Sequence, residues 1–377
     1  LHRDGLDLGD EIVAANRRLD EALDAAGEDL LFVSDSSLPH PSSAPLLRTY
    51  RRHLERELEQ RWRSYYLMEK DPSLAGRILE FHEQVGERLF DQQVVAGTGS
   101  AAMLATLFTW AAESERPERA LVCSPPYVKV VHLLHQLGLP LEFVYDPGSI
   151  EPLRWRLPEE RSFAILTDPI WFAGRRLSMG QIEEIREWQQ RTDSLVFVDG
   201  TFQYMQWNEP LHERSALLDP QRTIRLVCPT KSLSAHGFRF AYLLAPAPIA
   251  RDLRDLYRLM HGAASVADGV FANVAMKTLL SPLSNRGMLA DAKARAQHLQ
   301  AGDQCEQSIT PDSGYFILLR PPEGFRGPGT IGMDQACFGL RGYPNFIRVN
   351  VLNDEALSRF GVESHAGNTR TQAVAFD

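Results

Sequence analysis

Cysteine is scarce in this chain. Four are present, Cys123, Cys228, Cys305 and Cys337, and no two are close enough for a CxxC pair. That density is normal for a reduced protein and sets the expectation of a cytoplasmic one. The eleven histidines form neither HExxH nor HxH. His132 and His135 lie at i, i+3 without a nearby carboxylate or third histidine, so helix packing is the reading and no metal site is expected. Positive charge is not in excess: the formal net charge is −9, and nothing favours nucleic acid or an anionic membrane as partner. Long hydrophobic runs are missing too. The longest nearly uncharged stretch, Phe240–Ala250, holds two prolines and is too short to span a bilayer. The chain opens Leu-His-Arg-Asp, with no basic stretch leading into an apolar one, so a secretory signal is expected to be absent or already removed.

What is present is ordinary in bulk and organised in detail. The 377 residues are enough for two or three domains, or one large α/β domain with a smaller companion. With 44% hydrophobic and 24% charged residues, disordered, collagen-like and coiled-coil classes are excluded. Short apolar runs read as strands at Gln93–Ala96, Leu121–Cys123, Leu141–Val144, Ala164–Thr167, Leu195–Val198, Ile224–Cys228 and Phe240–Leu244. Amphipathic segments at Ser100–Ala112, Val128–Leu137 and Met179–Arg191 lie between several of them. This alternation predicts a mainly parallel sheet covered by helices on both faces. Residues 30–92 read as mostly helical, with a solvated, mixed-charge face in RTYRRHLERELEQRWR. Three helices are expected over Ala247–Gly302, then a strand at Gly314–Leu319, a Gly/Pro-rich loop at Arg320–Gly332 and a strand at Phe346–Val351. The division expected is a large domain at 60–245 and a small α+β domain from 1–59 and 246–377.

Three features carry chemistry. In QVVAGTGSAAMLATLF a strand runs through a glycine turn into a helix. Gly97, Gly99 and Ala102 formally satisfy GxGxxA, but the next strand ends Ser124-Pro125-Pro126, without the acid that would hold a dinucleotide ribose. What survives is a helix start with free N–H groups and the Ser100 hydroxyl, a seat for a phosphate. In RLVCPTKSLSAHGFRFAYLL a strand ends at Pro229, followed by Thr230, Lys231 and Arg239. A lone lysine at a strand end is ordinarily surface. With a hydroxyl and a forked cation suited to a phosphate dianion beside it, it becomes a candidate Schiff-base nucleophile. In SLVFVDGTFQYMQW, Asp199 ends an apolar strand where open α/β sheets bind ligands. It either caps local structure or pairs with a protonated ring nitrogen.

Together these pieces resemble the fold-type-I pyridoxal-phosphate enzymes, within the class I/II aminotransferase-like group, from about Tyr65 to Arg348. TKSLSAHGFRF is similar to the family's Ser/Thr-Lys motif, with Gly-x-Arg ending eight residues past the lysine. The resemblance implies pyridoxal 5'-phosphate as cofactor, held through a Schiff base by Lys231, which also shuttles the proton. Gly99, Ser100 and Ala101 would seat the phosphate, with Thr230 and Arg239 completing the cup. Tyr127 would stack on the pyridine ring, and Asp199 would keep its nitrogen protonated. Arg348, in YPNFIRVNV, would clamp the α-carboxylate of an amino acid. Tyr66, or its neighbour Tyr65, would reach the phosphate of a second subunit, implying a homodimer with shared sites.

Two departures fall on one cofactor atom. By register from Gly174 in DPIWFAGRR, Trp171 stands where the family has the asparagine that hydrogen-bonds the ring's phenolic oxygen. Phe202 stands where it has a tyrosine. Trp171 retains an indole N–H; Phe202 has no donor. Fewer donors should leave the lysine–cofactor imine protonated over a wider pH range and alter how the reaction partitions. Alternatively the two rings pack the wall beneath the cofactor, or the loop is shifted and brings Asp168 to the ring. The expected activity is an aminotransferase taking an α-amino acid to a 2-oxo acid. The alternative is a non-transaminating enzyme of the same fold: a lyase, a cyclase of the capreomycidine synthase-like kind, or an oxidase. A ligand-sensing regulator would need a basic recognition helix ahead of the matched region, and none is read there.

Overall fold

The computed structural model describes residues 2–26, 30–35, 40–61, 63–89, 92–208, 211–281, 284–301, 309–322 and 330–360. Cys305 and most of the Gly/Pro-rich loop at 320–332 lie outside these. The helices are α1 (His2–Ala25), α2 (Ala44–Arg61), α3 (Pro72–Gln84), α4 (Ser100–Trp110), α5 (Val128–Gln136), α6 (Met179–Thr192), α7 (Pro229–Ser232), α8 (Ala247–His261), α9 (Val266–Leu279), α10 (Arg286–Ala301) and α11 (Asp354–Arg359). The strands are β1 (Leu31–Phe32), β2 (Gln92–Gly97), β3 (Ala120–Val122), β4 (Leu141–Phe143), β5 (Phe163–Thr167), β6 (Leu195–Gly200), β7 (Thr223–Val227), β8 (Ala241–Pro246), β9 (Phe316–Leu319), β10 (Thr330–Ile331) and β11 (Ile347–Asn350).

The seven apolar runs read as strands form one sheet in the order β2-β8-β7-β6-β5-β3-β4. Only β8 runs against its neighbours β2 and β7; the other pairings, β7–β6, β6–β5, β5–β3 and β3–β4, are parallel. The parallel strands therefore end on one edge, and β8 starts from that edge. Side-chain alternation feeds both faces. Val95, Ala241 and Leu243 join one apolar cluster, with α4, α5 and α6, while Val94, Ala96, Tyr242 and Leu244 join another, with α3 and α9. A buried central strand such as β6, LVFVDG, is apolar on both sides for this reason.

Local signals set the boundaries. Ser178 and Gln181 close a capping box at the start of α6, and Asp193 ends that helix in the left-handed region. Asp71 caps α3. β9 and β11 pair antiparallel, with Arg348 opposite Leu318, and β1 pairs parallel with β10. The N-terminal α1 was not among the elements expected. Its stripe Leu8, Ile12, Ala15 repeats at helical spacing and is buried, so the pattern was available.

The sheet's second face also buries charge. Arg225 on β7 donates to Glu87 at 2.7 Å. Glu87 also takes the Tyr204 hydroxyl and the Glu213 amide, both at 3.0 Å, and lies 2.9 Å from His82 Nδ1. His82 Nε2 reaches the Tyr242 hydroxyl at 2.9 Å. Burial alone would raise the Glu87 carboxyl, but Arg225 and His82 outweigh it and hold that group well below the usual carboxylate range. Removing one partner from such a pair strands the other charge. Glu87→Ala should therefore cost about 3–5 kcal/mol, read as a lower urea midpoint with the slope unchanged. Because the folded carboxyl is depressed, its contribution holds above the ordinary value of 4.5 and fades as pH falls below it. The difference between wild type and variant should shrink there.

Candidate active site

The common edge of the parallel strands collects the chemistry-bearing residues. Beyond β2, the turn Gly97-Thr98-Gly99 leads into α4. Gly99 has φ +90°, and a Cβ there would come 2.7 Å from Arg239 Nη2. Only glycine gives both that backbone geometry and that approach. The Thr98 amide is tied to the Tyr257 hydroxyl at 2.9 Å, so the turn is held from outside. Ser100 and Ala101 open α4. From β7, Thr230 and Lys231 follow on α7; Arg239 precedes β8 and so returns to the same edge. Gly99, Ser100, Thr230 and Arg239 thus border one cavity of about 670 Å³.

Asp199 ends β6, opposite Thr167 on β5 and Leu226 on β7, so its backbone is fixed from both sides. It is buried, and its Oδ1 accepts from the Thr201 amide and hydroxyl at 3.1 and 2.6 Å. Burial raises its pKa although the Thr201 hydrogen bonds oppose the shift. A carboxylate in that state is stabilised by a nearby cation.

Lys231 Nζ lies 3.2 Å from His236 Nδ1 and 5.7 Å above the Phe202 ring centre. Its pKa is lowered, first by burial; Cys228 opposes the shift and Arg348 and Arg239 add to it. The neutral amine, the nucleophilic form, is therefore more accessible than in a free lysine.

Arg348 on β11 closes the opposite wall. Its guanidinium carbon lies 4.3 Å from the Phe316 ring centre and 4.8 Å from that of Trp171, with Nη2 donating to the Ser34 carbonyl at 2.5 Å. Nε is buried and has no hydrogen-bond partner. Burial pushes its pKa down to about 9. A guanidinium packed against two rings, with a donor left over, is preset for an anionic ligand.

Trp171 and Phe202 stack on each other, 5.7 Å apart at 18°, and both border the cavity. The alternative in which Asp168 approaches the ring is not what the loop does. Asp168 is fully buried, its Oδ1 takes the Leu177 amide at 3.0 Å, and it does not line the cavity. Tyr127 starts α5 and meets Trp171 edge-on at 6.4 Å. Its hydroxyl pKa is raised by burial and then by Asp199.

Tyr66 does not join this group within the chain. Its hydroxyl donates to Asp71 at 2.5 Å, and it borders a different cavity with Arg77 and Asn273. Tyr65 is 92% exposed.

Sequence reading missed three contributors. His236 lies inside the TKSLSAHGFRF motif but is brought back toward Lys231 only because Ser234 adopts φ +49°. Asn16, Arg17 and Asp20 of α1 border the cavity, as do Lys129 and His132 of α5. For α5, spacing from Tyr127 was the available signal.

The profile of the family described as aminotransferase class I and II matches residues 34–360. A search of curated proteins gave no significant match. Solved structures of similar fold include N-succinyldiaminopimelate aminotransferase from Mycobacterium tuberculosis, with 15% identity over 94% of this chain and 96% of that one and a TM-score of 0.69. Kynurenine aminotransferase from Pyrococcus horikoshii has 14% identity over 92% and 91%, at 0.70. An aspartate aminotransferase double mutant from Thermus thermophilus has 16% identity over 92% and 95%, at 0.70. Among the described residues no helix is long and apolar enough to cross a membrane. The profile match spans most of the chain and the sheet order carries the expected parallel architecture, so this protein belongs to the class I and II aminotransferases, an α/β fold-type-I family whose members use pyridoxal phosphate.

Proposed function

We propose that this chain acts on an α-amino acid with pyridoxal phosphate bound at Lys231, and that it transfers the amino group to a 2-oxo acid. The observation that carries this reading is the distribution of charge in one cavity: Lys231, Arg239 and Arg348 around a single buried carboxylate, Asp199. The residues fit the cofactor. Gly99, Ser100, Ala101, Thr230 and Arg239 offer a helix start, hydroxyls and a guanidinium for a phosphate dianion. The buried Asp199 suits a protonated pyridine nitrogen. The unpartnered Nε of Arg348 suits a carboxylate.

When bound, pyridoxal phosphate supplies an aldehyde and an electron-accepting ring. Lys231 would then have two tasks, both at Nζ: to hold the aldehyde carbon as a neutral amine, with the aldehyde oxygen leaving as water, and, once released, to take and return the substrate's α-proton. Its burial favours the neutral form that both tasks need. Asp199 would accept the hydrogen bond of the ring N–H. Arg348 orients the amino acid through its carboxylate, and the Trp171 and Phe316 rings hold that guanidinium in place. Tyr127 packs beside the ring. A homodimer is part of the proposal. With Tyr66 tied to Asp71, the exposed Tyr65 is the better placed of the two to reach a second subunit.

One observation favours a second outcome with the same residues. Phe202 cannot donate to the ring's phenolic oxygen, which leaves the Trp171 indole N–H as the one donor of the pair. Weaker hold on that oxygen favours elimination, cyclisation or oxidation over amino transfer. Incubating the holoenzyme with a panel of amino acids, with and without 2-oxoglutarate, separates the two. Amino transfer needs the 2-oxo acid and releases no ammonia; without the 2-oxo acid, elimination releases ammonia, oxidation consumes oxygen, and cyclisation converts the amino acid with neither.

Borohydride reduction of the reconstituted protein should fix a pyridoxyl mass on the peptide containing Lys231. Lys231→Ala should lose that mass and lower turnover by ~10²–10⁴-fold or more. A pyridoxyl group on another lysine, or none, would overturn the assignment. Arg348→Lys keeps the charge but loses the fork. At about 1.5–3 kcal/mol for a charge-assisted hydrogen bond, KM for the amino acid should rise roughly 10- to 150-fold, with a smaller change in kcat.

A further inference from the structure

His236 has no place in the roles above, yet it is the hydrogen-bond partner of Lys231 among the described residues. Its ring bridges two groups: Nδ1 lies 3.2 Å from Lys231 Nζ and Nε2 lies 3.2 Å from the Tyr315 hydroxyl. The ring borders the same cavity as Lys231. Tyr315 is buried, anchored just ahead of β9, and meets the imidazole edge-on. Lys231 Nζ also lies over the ring of Phe202, which offers no lone pair.

We propose that His236, held in place by Tyr315, is the positioning residue for Lys231: its Nδ1 accepts a hydrogen bond from the amine and fixes where Nζ points. This rests on the reading of Lys231 as the cofactor-binding amine. The bridge works in both charge states of the lysine. With an ammonium, Nδ1 accepts and Nε2–H donates to the Tyr315 oxygen. With a neutral amine, the other tautomer has Nδ1–H donating to Nζ while Tyr315 donates to Nε2. The imidazole itself stays uncharged near neutrality. Burial, and after it Lys231, push its pKa down to about 4, with Asp35 opposing. The other titratable and charged groups around the pair are Tyr315, Cys228, Arg239 and Arg348. The contact is built locally. Ser234 in the left-handed region turns the chain after α7, and the Ala235 amide closes on the Thr230 carbonyl at 2.8 Å. Five residues past the lysine, the chain is thereby returned to it.

The test uses the full chain without cofactor, so it does not depend on the cofactor reading. Trace acetylation with acetic anhydride is followed over pH 6 to 11 by mass spectrometry of the Lys231 peptide. A neutral acceptor favours the ammonium, so its loss should make Lys231 a stronger nucleophile at lower pH. His236→Phe, which keeps ring volume, should label about tenfold faster near pH 8, a change equivalent to one unit of pKa. His236→Asn, whose carbonyl stands where Nδ1 was, should label like wild type. Tyr315→Phe should shift the same way as His236→Phe by a smaller factor, and it supplies the reading if His236→Phe does not fold. Equal profiles in wild type and the Phe variants would overturn the proposal, as would an Asn variant that behaves like Phe. In the holoenzyme, His236→Phe should lower kcat with KM little changed. Unchanged labelling alongside pyridoxyl fixation on Lys231 would sink the His236 role alone; the reverse pattern would sink only the cofactor assignment.

Discussion

An excess of positive charge in a half-buried cavity is the constraint around which the rest is arranged. Lys231, Arg239 and Arg348 share a space whose one deeply buried carboxylate is Asp199. Each cation is tolerated for a separate reason. Burial lowers the pKa of Lys231 and so eases its passage to the neutral form. Arg348 is shielded by two aromatic faces and one carbonyl, and Arg239 remains exposed. None is matched by a carboxylate within hydrogen-bond reach among the described residues. Three cations against one deeply buried carboxylate make the cavity favourable to an anionic ligand.

The scaffold meets this demand by topology. Parallel strands deliver their ends to one edge, where loops gather without backbone rearrangement. Beneath β7, the Glu87–Arg225 pair and its ring of hydroxyls lock that strand to the helices on the far face. Because α7 follows β7 directly, Lys231 inherits the rigidity of that buried network. The charged pair lies on the face away from the cavity's cations, so its role is to fix the strand and not to tune the lysine.

Much of this was legible in the residues themselves. Runs such as LVFVDG and FAILT are apolar throughout, and only a strand covered on both faces accounts for that. The glycine turn, the lysine and the arginine eight places later are local patterns, and local patterns survive translation into structure. The place of Trp171 on the cavity wall was readable from its spacing to Gly174. Less could be read where the chain folds back through unusual geometry or where distant segments meet. His236 depends on a serine with positive φ, a conformation sequence does not advertise. The partnership of Arg348 with Ser34 joins residues from opposite ends of the chain. Asp168 was the alternative contact for a shifted loop; here an amide nine residues on has claimed its carboxylate. The wall supplied by α1 was missed although its apolar stripe Leu8, Ile12 and Ala15 repeats at helical spacing.

The reversal of β8 has an architectural result of its own. The segment joining β7 to β8 is a plain return, with no crossing over the sheet, and it carries the amine, the imidazole and the guanidinium within nine positions. Their mutual spacing is a property of one tight connector and is insulated from motion between larger parts of the molecule. Adding or deleting a single residue there would dismantle three contacts together, whereas loops joining the parallel strands can vary in length and leave that trio intact.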